Sequence, residues 1–577
     1  MSPSPLRLPA FDRRRLIAGL AGIAGSAACA EALFAAAAER GKVTKGMVSD
    51  AAKLFGLDLT AKDRDRLLEG LQEALDSFAA LRKVSLDNSV PPAFRHDPEP
   101  YASTAPAVRH GLDAAVSVQV LTGGAKPGSA EEVAFAPVSR LAGWIAGRDL
   151  SSVELTRLSL ERLRKYDPLL KCVVTLTEER AMAAAQRADA ELAAGRYRGP
   201  LHGIPWGAKD LMAVKGYPTT WGTPPLKDQV IDQDATVVQR LDEAGAVLVA
   251  KLSVGELAWG DVWTGGMTRN PWQPEKGSSG SSAGSASATA AGLVPFALGT
   301  ETWGSIVSPS RRCGATGLRP SFGRISRHGI MALAWTMDKV GPIARAARDC
   351  GWVMQAILGP DGQDVSVVDR PFDPEPDLDP RTLRLGYVKA LFEEKPEEDQ
   401  AESHALDLAT LEALRGLGFE PVPIALPATP VEPLAILLGA EAAAAFDEFT
   451  RRGLVDQMVR QEKNSWPVVF RESRFVPAVE YIQANRIRTL LMREMAKVME
   501  QVDVYVAPAF GGDDLLATNL TGHPAILVPN GFRKDGTPSG ITFTGQLYGE
   551  GALLAVARRY QEAAGFTARR PELREGS

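Results

Sequence analysis

The stretch GSSGSSAGSASATAAGLVPFALGTETWGSIVSPS occupies residues 277–310. Its first half is almost wholly Gly, Ser and Ala, a composition that usually marks a flexible linker. Here the run is framed by Trp272 and by the apolar segment 293–298, and a second Gly-containing turn, 299–305, follows at once. Dense small residues inside an apolar frame imply closely approaching backbones, and they leave N–H groups free to face a ligand. Within the run, Gly280-Ser281-Ser282-Ala283-Gly284 satisfies the GxSxG pattern of a nucleophile elbow.

A serine is a weak nucleophile until a neighbour removes its proton. His328, His404 and His523 follow the run, none in a distinctive context, and PWQPEKGSS (271–279) makes a poor strand to lead into an elbow. A His-dependent hydrolase is therefore disfavoured. Lysine is the other base, provided that desolvation or a positive dipole keeps it neutral. Lys209 lies in GIPWGAKD (203–210), an apolar, turn-punctuated setting that suits a buried amine. Spacing alone fits a solvated surface lysine better.

Working outward, Ser151 with Glu154 predicts a helix start carrying Leu155, Leu158 and Leu163. Residues 171–176 read as a short apolar strand, and an Ala-rich helix ends at Gly195. A helix at 236–245 leads to a strand at 246–250, and one at 405–414 to a strand at 422–426. A long helix at 481–498 precedes a strand at 504–507, and 526–528 is another buried strand. This alternation predicts an α/β fold with a largely buried sheet. The acidic, Pro-rich stretch 359–380 reads as a surface insertion.

Toward the N-terminus, Thr60 and Asp63 form a capping box, and Leu67, Leu68, Leu71, Leu75, Phe78 and Leu81 keep helical spacing. Residues 31–84 are expected to be helical and 85–136 an irregular strap, with the main body from about Pro137. Arg13-Arg14-Arg15, the apolar stretch 16–28 and Ala28-Cys29-Ala30 make residues 1–30 resemble a twin-arginine signal peptide. An exported, periplasmic chain without stable membrane insertion is the expectation; a buried or interfacial helix is the alternative. Cys29 is a poor lipidation site because Ser26 stands where Leu is wanted. Cleavage after Ala30 would leave Cys172, Cys313 and Cys350, an odd number, hence at least one free thiol.

The bulk numbers exclude other classes. Of 577 residues, 45% are hydrophobic and 23% charged, as in ordinary globular proteins and unlike disordered or fibrous chains. A net charge of -5 offers no footprint for nucleic acid. Four cysteines exclude a disulfide scaffold, and six scattered histidines without HExxH or CxxC argue against a zinc site.

Three stretches resemble the amidase signature family: GIPWGAKDLMAVKGYPTTWGT (203–223), the serine-rich run 277–310, and CGATGLRPSFGRIS (313–326). Supporting stretches are 234–252, 268–272 and 520–532, so the resemblance runs from about Pro137 to the C-terminus and omits 31–136. It implies a central mixed β-sheet covered by α-helices on both faces, here with an N-terminal helical extension. It also implies a Ser–cis-Ser–Lys triad in which the lysine falls on Lys209, the bridging serine on Ser281, and the nucleophile on Ser305, 24 positions later. On this reading Ser282 is not the nucleophile but supports the loop. The backbone N–H groups of Thr302, Trp303, Gly304 and Ser305 would form the oxyanion hole, and Ser282, Trp303 and Ser308 are candidates to touch substrate. No metal or organic cofactor is implied.

This sequence departs from the family's pattern in two places. Trp303 stands where the family commonly has a glycine, so its indole either walls the acyl pocket or packs into the core. Ile306-Val307-Ser308-Pro309 lacks the arginine that many relatives carry, the tRNA-linked amidotransferase subunits among them, which weakens recognition of a free acidic substrate. Arg311-Arg312 beside the site read as a solvated or salt-bridged loop. The leading expectation is hydrolysis of a linear carboxamide, such as a peptide amide, an acylated amine or an aryl amide. One alternative is an amidotransferase subunit with glutaminase activity that passes ammonia to a partner. A second is a non-catalytic binding module. For residues 31–136 the open roles are a homodimer contact, a partner surface or a cover over the active-site mouth.

Overall fold

The computed structural model describes residues 42–86, 93–94 and 128–573. The expected signal peptide and most of the expected strap lie outside them. One eleven-stranded sheet organises the main body. Its strands are β1 (Val173–Leu176), β2 (Pro205–Lys209), β3 (Val247–Leu252), β4 (Phe296–Glu301), β5 (Thr316–Arg319), β6 (Lys339–Ala344), β7 (Leu385–Val388), β8 (Val422–Ile424), β9 (Val504–Pro508), β10 (Ala525–Phe532) and β11 (Pro538–Gly545). Their order is β1-β3-β2-β4-β6-β5-β10-β11-β9-β7-β8. The β3–β2–β4 and β9–β7–β8 pairings are parallel and the rest antiparallel, so the sheet is mixed.

Both faces are covered. On one, α3 (Ser152–Leu170) and α4 (Glu178–Ala193) pack Leu160, Leu163, Ala181 and Ala185 against Val247 and Val249 of β3. On the other, Leu248, Phe296 and Leu298 join a core that includes Trp144, Trp206, Val238 and Leu241. Alternate residues of one strand thus serve two cores, as a doubly covered sheet requires. The Ser151–Glu154 and Thr60–Asp63 capping boxes both form, fixing the starts of α3 and of an N-terminal helix.

The small-residue run is not a linker. Residues Ala283–Ala290 form α5, every residue of which is buried. Its composition is dictated by proximity: a Cβ at Gly284 would lie 2.5 Å from the Cys172 carbonyl oxygen and from Ser253 N. Within the described part of the expected strap, Ala130–Phe135 is a helix, capped by Ser129, and the remaining described residues are irregular. Six residues are too short to leave a periodic signal in the sequence. The N-terminal helices are α1 (Lys45–Leu54) and α2 (Ala61–Leu81). Cys172, Cys313 and Cys350 are buried free thiols. Among the described residues no helix is long and apolar enough to cross a membrane.

Candidate active site

Lys209 ends β2, an interior strand of the sheet, where it pairs with Leu252 of β3 directly after Ala208 has paired with β4. Its side chain is 0% exposed. Nζ lies at hydrogen-bond distance from Ser281 Oγ (2.8 Å), Ser282 Oγ (3.0 Å), Thr300 Oγ1 (2.8 Å) and the Thr300 carbonyl oxygen (3.3 Å). Burial pushes this amine well below its ordinary 10.5, and the more distant charges of Asp338 and Glu301 oppose the shift only in part. The next residue, Asp210, is anchored to Lys251 by a fully buried 2.8 Å ion pair.

Ser281 follows a cis peptide bond from Gly280. Ser282 donates its N–H to the Ser305 carbonyl at 3.1 Å, which brings the two serine segments together. Its hydroxyl also meets the Thr300 backbone, accepting from N and donating to O, both at 3.2 Å. Ser282 is wholly buried and does not line the cavity beside Ser305. Of the expected substrate-touching residues it is therefore the exception: its hydroxyl is committed to the lysine and the loop. Among the described residues no hydrogen bond joins the Ser281 and Ser305 hydroxyls.

Ser305 sits in the turn between β4 and the helix α6 (Val307–Cys313). Gly304 takes φ +84°, where a side chain would be strained, whereas Trp303 is not among the residues of positive φ. The tryptophan thus replaces a glycine without backbone cost. Among the described residues the N–H groups of Trp303, Gly304 and Ser305 donate to no acceptor. The Thr302 hydroxyl donates to Asp338 at 2.6 Å, and the other Asp338 oxygen accepts from Leu333 N at 2.8 Å and Ala334 N at 3.0 Å.

Glu301 holds the turn from below, a role the sequence pattern does not reveal. Its carboxylate accepts from Ile306 N at 2.8 Å and Val307 N at 3.0 Å, capping α6 directly after Ser305. Arg319 Nη1 and Asn519 Nδ2 complete its shell at 2.8 and 2.9 Å. Burial resists this charge, yet the Arg319 guanidinium and these donors bring the carboxyl down to about 2. The available signal was an acid in an apolar strand, four residues before the serine, with an arginine in the adjacent β-segment.

A cavity of about 570 Å³ opens beside Ser305. Trp259, Trp303, Trp466, Leu438, Phe510 and Leu515 form much of its wall, and none of the described residues that line it is charged. Trp303 is 43% exposed on this wall, so it is pocket and not core. Ser308 also lines the cavity, its hydroxyl 2.6 Å from that of Ser279. Arg311 stacks 5.5 Å over Phe510, while Arg312 is exposed. A second, more polar cavity of about 440 Å³ shares Ala258, Thr302 and Leu333 with the first. Among the described residues no cluster of His, Cys, Asp and Glu could hold a metal ion.

The amidase family profile matches residues 154–515, and the chain belongs to this family, the amidase signature enzymes, which act on amide C–N bonds. It is 38% identical over 472 residues to a glutamyl-tRNA(Gln) amidotransferase subunit from Roseiflexus sp. (strain RS-1), covering 74% of this chain and 96% of that protein. Among solved structures it is similar to native peptide amidase from Stenotrophomonas maltophilia, at 29% identity and TM-score 0.66, covering 76% of this chain and 98% of that one. An amidase family protein from Bacillus anthracis str. Ames superposes at TM-score 0.69 and 27% identity, covering 77% and 94%.

Proposed function

We propose that this chain hydrolyses a linear carboxamide with an apolar acyl group to a carboxylate and an amine or ammonia. The observation that carries the chemistry is the wholly buried Lys209 amine 2.8 Å from Ser281 Oγ, in the segment hydrogen-bonded to Ser305. Neutral Lys209 takes the Ser281 proton as Ser281 takes that of Ser305. Ser305 Oγ then bonds to the carbonyl carbon, and the oxygen's new charge meets the unengaged N–H groups of 303–305. One such donor is typically worth about 3 kcal/mol in the transition state. The Lys209 ammonium returns its proton through Ser281 to the departing nitrogen, and the C–N bond breaks. Water, deprotonated along the same path, attacks the acyl-enzyme and frees Ser305. The Ser281–Ser305 contact has to close when substrate binds, a tightening common in ligand-free sites.

The uncharged, aromatic wall supports an apolar acyl portion, because a free amino acid would leave its charges unpaired there. Overall sequence likeness favours a second reading, the amidotransferase component: the 38% identical relative bears that name. A panel of peptide amides, anilides, fatty amides and glutamine, with Ser305→Ala as control, separates the two. Turnover of apolar amides by the isolated chain supports the first; turnover of glutamine alone, in a stable complex with a partner, supports the second. We also propose that residues 1–30 are an export signal, on their basic and apolar pattern. N-terminal sequencing of the mature chain tests this: a terminus at Met1 counts against it.

A further inference from the structure

The helices α1 and α2 precede the family match and supply none of the residues that line the cavity beside Ser305. They nevertheless pack against the two segments that build one of its walls, α7 (Ile436–Ala445) with the residue before it, and α8 (Trp466–Glu472). In α8, Trp466 and Val469 face the cavity. Val468, on the far side, joins Leu67 and Leu71 of α2, together with Phe475 just beyond α8. A Cβ at Gly70 of α2 would come within 2.3 Å of the Glu472 carboxyl, so the two helices touch backbone to side chain.

The other segment runs from Ala435 into α7. Ala435, Leu438 and Gly439 face the cavity. Ile436 packs with Leu75 and Phe78 of α2, while Leu437 joins the cluster that contains Leu81. Residues two apart on a helix point to nearly opposite sides, so one face meets the ligand space while the other meets α2. Just past α2, Arg82 Nη2 lies 2.6 Å from Glu480 of the helix Ala478–Met499, which ties the end of α2 to a neighbouring helix. From α8 the wall continues inward: Trp466 stacks on Phe470 at 4.9 Å and packs edge-on to Trp259 at 4.8 Å.

We infer that α1 and α2 are a specificity element of this enzyme: α2 braces from behind the wall formed by α8 and residues 435–439, and so sets which acyl groups fit beside Ser305. This rests on the reading that the cavity receives the acyl group. A pocket discriminates by shape only if its wall is held by a packed shell behind it. Here that shell is supplied by Leu67, Leu71, Leu75 and Phe78, none of which touches the cavity.

The test uses the full chain and two serine-directed probes, an ethyl fluorophosphonate and a phenyl-bearing one, with labelling of Ser305 followed by peptide mass. The quantity read is the ratio of the two labelling rates. Phe78→Ala should shift that ratio ~10-fold, since even one methylene of misfit in a hydrophobic pocket is worth that much. Labelling by the ethyl probe should stay within about 2-fold, because the small group does not reach the wall. Should Phe78→Ala not fold, Leu75→Val on the same face is read in the same way, with an expected shift of ~3-fold. A folded variant whose ratio matches wild type overturns the proposal and leaves the acyl-enzyme reading intact. A wild-type chain that neither probe labels at Ser305 overturns both.

Discussion

The two sides of Ser305 are built on opposite plans. Behind it lie two buried polar networks, Lys209 with Ser281, Ser282 and Thr300, and Glu301 with Arg319, each joining segments far apart in sequence at hydrogen-bond distance. In front lies an uncharged cavity walled by aromatic and aliphatic side chains from residues 258–515. The contrast assigns different tolerances. A buried polar assembly loses much when one member is removed, because the others stay buried and unpaired. An apolar wall reshapes with smaller loss, and its geometry discriminates among ligands by only a few kcal/mol.

Breaking the polar side should give the largest effects. Ser305→Ala is expected to lower amide turnover on the order of 10⁴-fold or more, as for other covalent nucleophiles, with the unfolding curve unchanged. Lys209→Ala should cost on the order of 10³-fold, within the range of a general base. The same lysine sets the pH dependence. Its amine is held well below 10.5, and the base works unprotonated. The sign is therefore a rate that falls as pH drops and the amine gains its proton, and that reaches its plateau before the ordinary lysine range. A kcat/KM still climbing through about pH 10 would mean that Lys209 titrates as an exposed amine.

Glu301→Gln comes next. It removes the charge that pairs with Arg319 inside the fold, at an expected cost of about 3 kcal/mol in unfolding free energy. Turnover should also fall, ~10²-fold, because the Ser305 turn loses its anchor. The wild-type carboxyl is brought down to about 2 from an ordinary 4.5. Its stabilisation is complete above pH 4.5 and is lost as pH falls toward 2, so the gap between variant and wild type should close over that window. An undiminished gap at the acid end would place the effect elsewhere. The smallest change belongs to the apolar side. Trp303→Ala should leave turnover of small acyl amides within ~3-fold while shifting preference among bulky ones ~10-fold, read as kcat/KM ratios.

The same contrast explains what could be read from the sequence. The polar side is legible mainly through the family resemblance, which points to Lys209, Ser281 and Ser305; the residues alone offer Lys209 as a possible base and Ser282 as the pattern serine, and the α/β class follows from the alternation of helices and strands. Elements with apolar runs or caps are visible within a residue or two, such as the strands β3 and β9 and the start of the helix α3. Other elements were hidden by composition. The helix α5 is made of small residues that carry no hydrophobic period, and β2 and β4 contain the glycines that local turns would also use. Glu301 was missed because its value depends on Arg319 and Asn519, which arrive through tertiary pairing. Beyond Trp303 and Ser308, the cavity wall is hidden for the same reason: residues 258–260, 435–439, 466–469 and 510–515 meet only in the fold. For Ser282 the sequence supports both a loop role and a substrate contact; its hydroxyl lies against Lys209 and the Thr300 backbone, and it does not line the cavity.

The account turns on Ser305 forming a covalent bond to the acyl group. The direct measurement is intact-mass and peptide-map analysis of the full chain quenched during turnover of an apolar amide or of the corresponding ester, whose faster acylation lets the same acyl-enzyme accumulate. The account predicts one added acyl mass on the peptide containing Ser305, absent from Ser305→Ala. An acyl mass on Ser281 or Ser282, or steady turnover retained by Ser305→Ala, would contradict it.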